Sequence, residues 1–121
     1  VYQVLEPGGL FLFDMNTAYA LAVLWDDEVH VSDEEDMTVI FSSHYDEHRQ
    51  RVTVQATVFE RRGEAYRKIQ EEHTEQAYPP EQVATLLTDV GFRVEAYYDC
   101  FSFIRAYDGS YRIMWVARKP A

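Results

Sequence analysis

Val4-Leu5-Glu6-Pro7-Gly8-Gly9-Leu10-Phe11-Leu12-Phe13-Asp14-Met15-Asn16 is the stretch whose reading decides the fold. It opens as the last turn of a helix. Pro7 stops that helix, because its ring cannot continue the hydrogen-bond ladder. Gly8 and Gly9 allow the tight, positive-φ turn that swings the chain back into a sheet. Leu10 to Phe13 is a continuous apolar run, the pattern of a strand covered on both faces. Asp14 and Asn16 then emerge at its carboxyl end, where open α/β sheets place their ligands.

The elements that follow can be read outward from there. Asn16 or Thr17 is placed to cap a helix running to about Trp25. Residues 18–25 are apolar on all sides, so that helix is expected to be buried or covered by a partner. Asp26-Asp27-Glu28 and Ser32-Asp33-Glu34-Glu35-Asp36 read as acidic surface loop. Three strands are then expected, over 37–45, 51–60 and 65–77. In the middle one, Val52, Val54, Ala56 and Val58 alternate with Thr53, Gln55 and Thr57. This is an antiparallel meander with one greasy and one polar face. Pro79-Pro80 opens a second helix. Its Val83, Leu86, Leu87 and Val90 stand at i, i+3, i+4 and i+7, a single stripe expected to face the core. Gly91 is its C-terminal cap. A strand over 92–98, a loop over 99–110 and a last strand over 111–118 complete the chain.

The 121 residues predict one domain, and 47% hydrophobic with 15% aromatic content is enough for a packed core. A net charge of −10 argues against nucleic acid as a partner, since phosphate backbones need Lys/Arg clusters that this sequence lacks, and disfavours anionic membranes. No apolar run approaches the ~20 residues of a membrane span, and no signal peptide is visible. Cys100 is the lone cysteine, so no internal disulfide framework exists and a reducing, cytoplasmic setting fits. Following an apolar strand, it reads as an inert core thiol. The chain opens at Val1 without a methionine, which reads as an imposed boundary, a proteolytic fragment or an incomplete sequence.

Three ordered segments carry a resemblance. Leu5-Glu6-Pro7-Gly8-Gly9-Leu10-Phe11-Leu12-Phe13-Asp14 resembles the segment entering the fifth strand of class I S-adenosylmethionine-dependent methyltransferases. Glu71-Glu72-His73, followed by Tyr78, Glu81, Leu86-Leu87 and Gly91-Phe92, is similar to the pattern in small-molecule methyltransferases of that class. Ile113 to Pro120 resembles their last strand. The match spans nearly the whole chain but only the C-terminal half of that family's fold. It implies an α/β fold: half of a Rossmann-like methyltransferase sheet with the three-stranded meander (37–77) inserted as a lid, then a helix and the last two strands over 79–121. It implies methyl transfer from S-adenosylmethionine to a nitrogen or oxygen of a small molecule.

The resemblance also directs attention to particular residues. His73 and Tyr78 are implied as substrate-pocket residues, with Asp14, Asn16 and Tyr19 lining the acceptor site. Alternation sets Glu71, His73 and Glu75 on one face of their strand. A His beside carboxylates suits a general base. The family's donor site rests on a glycine-rich loop and an acidic residue at strand ends that this sequence lacks. The chain alone is therefore not expected to bind S-adenosylmethionine. A bare edge of the half-sheet is expected to make it a homodimer. His44 and His48 flank Asp46 and Glu47, but a hairpin turn splays such side chains, so no metal site is expected. Tyr97, Tyr98, Phe101, Phe103, Tyr107 and Tyr111 form an aromatic-rich end suited to packing or to walling a pocket. The rival reading is a non-enzymatic α+β module that binds a ligand or another subunit.

Overall fold

A computed structural model describes all 121 residues. The chain divides into two compact units, Val1–Ala20 with Ala77–Ala121, and Leu21–Gln76.

The first unit is built on a three-stranded antiparallel sheet. Its strands are β1 (Leu10–Asn16), β6 (Arg93–Asp99) and β7 (Arg112–Arg118), in the order β1-β7-β6. A short 3-10 turn, Tyr2–Val4, stands where a helix end is expected. Gly8 makes the following reversal at φ +82°, a conformation only glycine adopts freely. The turn is stitched to the end of β7: Gly8 N–H donates to the Lys119 carbonyl at 2.8 Å, and Lys119 N–H donates back to Gly9 at 2.9 Å.

Side chains of β1 alternate. Phe11, Phe13 and Met15 pack against a core of Val83, Leu87, Phe92, Ile113, Trp115 and Ala117. Leu10 and Leu12 face the other way and are 42% and 57% exposed. The expectation of a strand covered on both faces is therefore corrected: within this chain one face is bare. A run apolar at every position conceals its own period of two, so the sequence gives no sign of which face is covered.

The second helix of the chain, α2 (Pro80–Val90), lies on the covered face. Gly91 ends it at φ +113°, donating to the Thr88 carbonyl, while Phe92 donates to the Leu87 carbonyl. A Cβ at Gly91 would meet the Tyr2 ring at 2.9 Å, so both conformation and space demand glycine here. The expected core stripe is half right. Val83 and Leu87 are buried, whereas Leu86 and Val90 are 52% and 56% exposed. They border a groove rather than the core. Across β6 and β7, the guanidinium groups of Arg118 and Arg93 bond to the Glu95 carboxylate at 2.6 and 2.7 Å and hold its pKa down to about 2.

The second unit is a four-stranded antiparallel sheet. Its strands are β2 (Val29–Asp33), β3 (Met37–Asp46), β4 (Arg51–Arg62) and β5 (Ala65–Gln76), in the order β2-β3-β4-β5. The last three correspond to the three expected strands. β2 is additional, and part of it falls where acidic loop is expected. Its five residues are all exposed, so no buried face betrays it. Val29 and Val31 supply alternation, but the acidic residues on either side mask it. On β4, Val52, Val54 and Ala56 are buried. The first helix, α1 (Ala18–Leu24), buries Ala20 and Leu21 but exposes Tyr19, Val23 and Leu24 by nearly half, which corrects the expectation of burial all round. No helix is long and apolar enough to cross a membrane.

Candidate functional site

The carboxyl end of β1 gathers polar groups onto the bare face of the three-stranded sheet. Asp14 and Asn16 share that face because side chains alternate along the strand. Register sets Asn16 opposite Arg112 and Asp14 opposite Met114, and sets Met114 opposite Tyr98 on the far strand. Arg112 Nε donates to Asn16 Oδ1 at 3.2 Å and lies 3.7 Å from Asp14 Oδ1. Sequence reading did not single out Arg112. Its role depends on pairing between residues 96 apart in the chain, which no local pattern reveals.

Thr17, rather than Asn16, caps α1: its Oγ1 accepts from Ala20 N–H at 3.1 Å and donates to the Ser110 carbonyl at 2.7 Å. Asn16 is thereby left with its side chain on the sheet. Tyr19 stacks on Tyr111, ring centroids 5.5 Å apart. Asp14, Asn16 and Tyr19 thus stand at one end of one sheet, joined by Arg112 and Tyr111.

Tyr78 lies elsewhere. It lines an apolar groove of about 330 Å³ with Tyr2, Phe11, Phe13, Leu86 and Val90. Phe11 and Phe13 belong to the face opposite Asp14 and Asn16, so the sheet separates Tyr78 from those two residues.

In the second unit, β5 faces β4 with Glu75 opposite Val52, His73 opposite Val54 and Glu71 opposite Ala56. Directly paired residues share a face. The row Glu71, His73, Glu75 therefore borders the same face as the three buried residues of β4. His73 Nε2 donates to Glu71 Oε2 at 2.9 Å, both side chains being 62% exposed. With Nε2 carrying the proton, the lone pair of neutral His73 sits on Nδ1, and the carboxylate behind it orients the ring.

His44 pairs with residues far from its own turn. Its Nδ1 lies 2.9 Å from Asp27 Oδ1 and 3.9 Å from Asp26 Oδ1. The hydrogen bond to Asp27 raises its pKa, helped by the charges of Asp27, Asp26 and Asp46. All three residues are exposed. Asp46 serves its turn instead, accepting from Arg49 N–H at 3.1 Å. Cys100 is half-buried, its N–H bonded to the Arg112 carbonyl.

The glycine pair does not fit a donor site. Gly8 and Gly9 lie at the amino end of β1, opposite to Asp14 and Asn16, and are tied to Lys119. They make a turn into a strand, not a strand-to-helix loop against which a nucleoside packs.

No family model matches the chain. It is 27% identical over 119 residues to Putative methyltransferase YqeM of Bacillus subtilis (strain 168), covering 98% of this chain and 48% of that protein. Among solved structures, an S-adenosylmethionine-dependent methyltransferase from Clostridium acetobutylicum superposes with a TM-score of 0.81 at 24% identity, covering 99% of this chain and 48% of that one. The sugar N-methyltransferase KedS8 from Streptoalloteichus gives a TM-score of 0.68 at 16% identity, over 99% and 46%. The chain spans about half the length of each. The resemblance read from its three segments therefore holds: this chain is similar in sequence to curated methyltransferases and has the fold of one half of an S-adenosylmethionine-dependent methyltransferase.

Proposed function

We propose that this chain supplies the acceptor-side, C-terminal half of an S-adenosylmethionine-dependent methyltransferase that acts on a nitrogen or oxygen of a small molecule. One observation carries the reading: in a half-fold shared with such enzymes, Asp14, Asn16 and Arg112 converge at the carboxyl end of β1. Methyl transfer needs chiefly in-line alignment and desolvation, with at most one base. The chain's own tasks are then to hold the acceptor, exclude water and receive its proton. In the first unit Asp14, Asn16 and Tyr19 are the groups proposed to hold it; in the second unit His73, oriented by Glu71, is the candidate base. KedS8, which shares this half-fold, is a sugar N-methyltransferase, in keeping with a nitrogen acceptor.

The donor is held by the portion of the fold this chain does not span. Titration calorimetry of the 121-residue chain with S-adenosylmethionine is expected to give no binding at micromolar concentration, while a protein carrying both halves binds. A dissociation constant at or below 1 μM for this chain, about 8 kcal/mol, would overturn that division.

β1 is an outer strand, paired only with β7 among the strands of its sheet. An unpaired apolar edge recruits a partner strand. The isolated chain is expected to dimerise through residues 10–14. Multi-angle light scattering checks this, and a clean monomer at high concentration rules it out.

A further inference from the structure

Two carboxylates and an imidazole ring converge in the second unit. Asp26 and Asp27 lie between α1 and β2, and His44 lies on β3. His44 Nδ1 is 2.9 Å from Asp27 Oδ1 and 3.9 Å from Asp26 Oδ1, and the three ligand atoms all lie within 4.8 Å of one another. Residues 1–48 contain no lysine or arginine. The charges that act on His44 are those of Asp27, Asp26 and Asp46, all acidic. Two carboxylates this close repel each other unless a positive charge sits between them.

The backbone holds the arrangement. Tyr45 N–H donates to Asp26 Oδ1 at 3.2 Å, and Ser43 N–H donates to the Glu28 carbonyl at 2.9 Å. The residues on either side of His44 thereby anchor both ends of the Asp26–Glu28 segment onto β3. The spacing suits a small divalent ion. Ligand atoms bonded to zinc at about 2.0–2.2 Å stand roughly 3.3–3.6 Å apart around a tetrahedral centre. The observed 2.9 and 3.9 Å bracket that separation, so small side-chain rotations bring the set onto one ion. In the sequence His44 stands out only beside His48, Asp46 and Glu47 in one turn. Its partners in space are instead a pair of aspartates, Asp27 being 17 residues upstream.

We propose that Asp26, Asp27 and His44 bind a divalent transition-metal ion of the zinc type, with water completing its coordination. One imidazole nitrogen with two carboxylate oxygens favours such an ion over Ca²⁺ and Mg²⁺, which take oxygen ligands. The ion enters as the Nδ1 proton leaves. The hydrogen bond to Asp27 raises the pKa of His44, so protons compete and binding weakens as pH falls. By joining the α1–β2 connection to β3, the ion braces the second unit. The site stands independently of the methyltransferase reading.

The test is calorimetric titration of Zn²⁺ into the purified chain at neutral pH, in a buffer that does not bind the metal. The wild-type chain should bind one ion with release of a proton, and its thermal midpoint should rise. His44→Ala, Asp26→Asn and Asp27→Asn should each weaken binding by at least the roughly 10–100-fold that loss of an outer-shell partner costs a metal site. The two asparagine variants keep size and a hydrogen-bonding oxygen, so they report on the site apart from folding. His48→Ala, in the adjacent turn, should bind as the wild type does. The proposal is overturned if Zn²⁺ does not bind. It is overturned if His44→Ala alone loses binding while both asparagine variants keep it, the mark of a lone imidazole. Equal loss in His48→Ala would place the ion in the turn and overturn it as well. So would Mg²⁺ binding as tightly as Zn²⁺, since the aspartates would then be an acidic patch only.

Discussion

Trp115→Ala is expected to destabilise the first unit more than any other single truncation in its core. Trp115 lies on the central strand β7 and is 1% exposed. Its ring stacks on Tyr97 at 4.8 Å and lies parallel to Phe13 at 6.3 Å, joining the core faces of all three strands. Truncating a buried tryptophan to alanine costs roughly 3–5 kcal/mol, because the transfer energy is lost and the cavity only partly collapses. A whole domain is stable by only about 5–15 kcal/mol. The midpoint in a thermal melt followed by circular dichroism should fall by more than about 10 °C, or the transition should vanish. Leu12→Ala, on the bare face of the neighbouring strand, serves as the contrast. That side chain is already 57% exposed, and its loss should stay within about 0.5 kcal/mol. Equal shifts for the two variants would mean that the bare face is covered in solution.

Legibility in the sequence followed the range over which each signal acts. The Pro7-Gly8-Gly9 reversal, the Gly91 cap and the strong alternation of β4 are local, and the structure places each where the residues put it. β2 was missed because an exposed strand has no buried face to reveal its period. The bare face of β1 was missed because a run apolar at every position looks the same whether one side is covered or two. Burial of Leu86 and Val90 was misread for a related reason: helical spacing tells which residues share a face, not whether that face meets a neighbour.

The site was legible in part. Asp14 and Asn16 stand out in the sequence because polar residues at the carboxyl end of an apolar strand are a position-specific signal, and the structure sets both beside Arg112. Arg112 joins them only through strand pairing, and His44 finds Asp26 and Asp27 only through the fold of its unit. The separation of Tyr78 from Asp14 and Asn16 by a sheet is likewise a fact of three dimensions.

His73→Ala is expected to lower turnover by roughly 10²–10⁴ in the protein that carries both halves of the fold, the range a positioned general base supplies. The geometry behind this is the Glu71–His73 hydrogen bond of 2.9 Å, which keeps the proton on Nε2 and leaves Nδ1 to accept another. Glu71→Gln should then cause a smaller loss in the same parameter, because the amide oxygen still accepts from Nε2 and holds the ring. Donor affinity should stay unchanged in both variants if the donor site lies, as proposed, in the other half. A positioning role would leave kcat intact and raise KM instead. A solvated strand pair predicts neither. With both side chains 62% exposed, such a pair contributes little to stability, and the variants would match wild-type kinetics within about twofold. Steady-state kinetics on the three proteins distinguishes these outcomes. Wild-type behaviour would remove His73 from the chemistry and leave the Asp14–Asn16–Arg112 cluster to hold an acceptor that loses its proton directly to water.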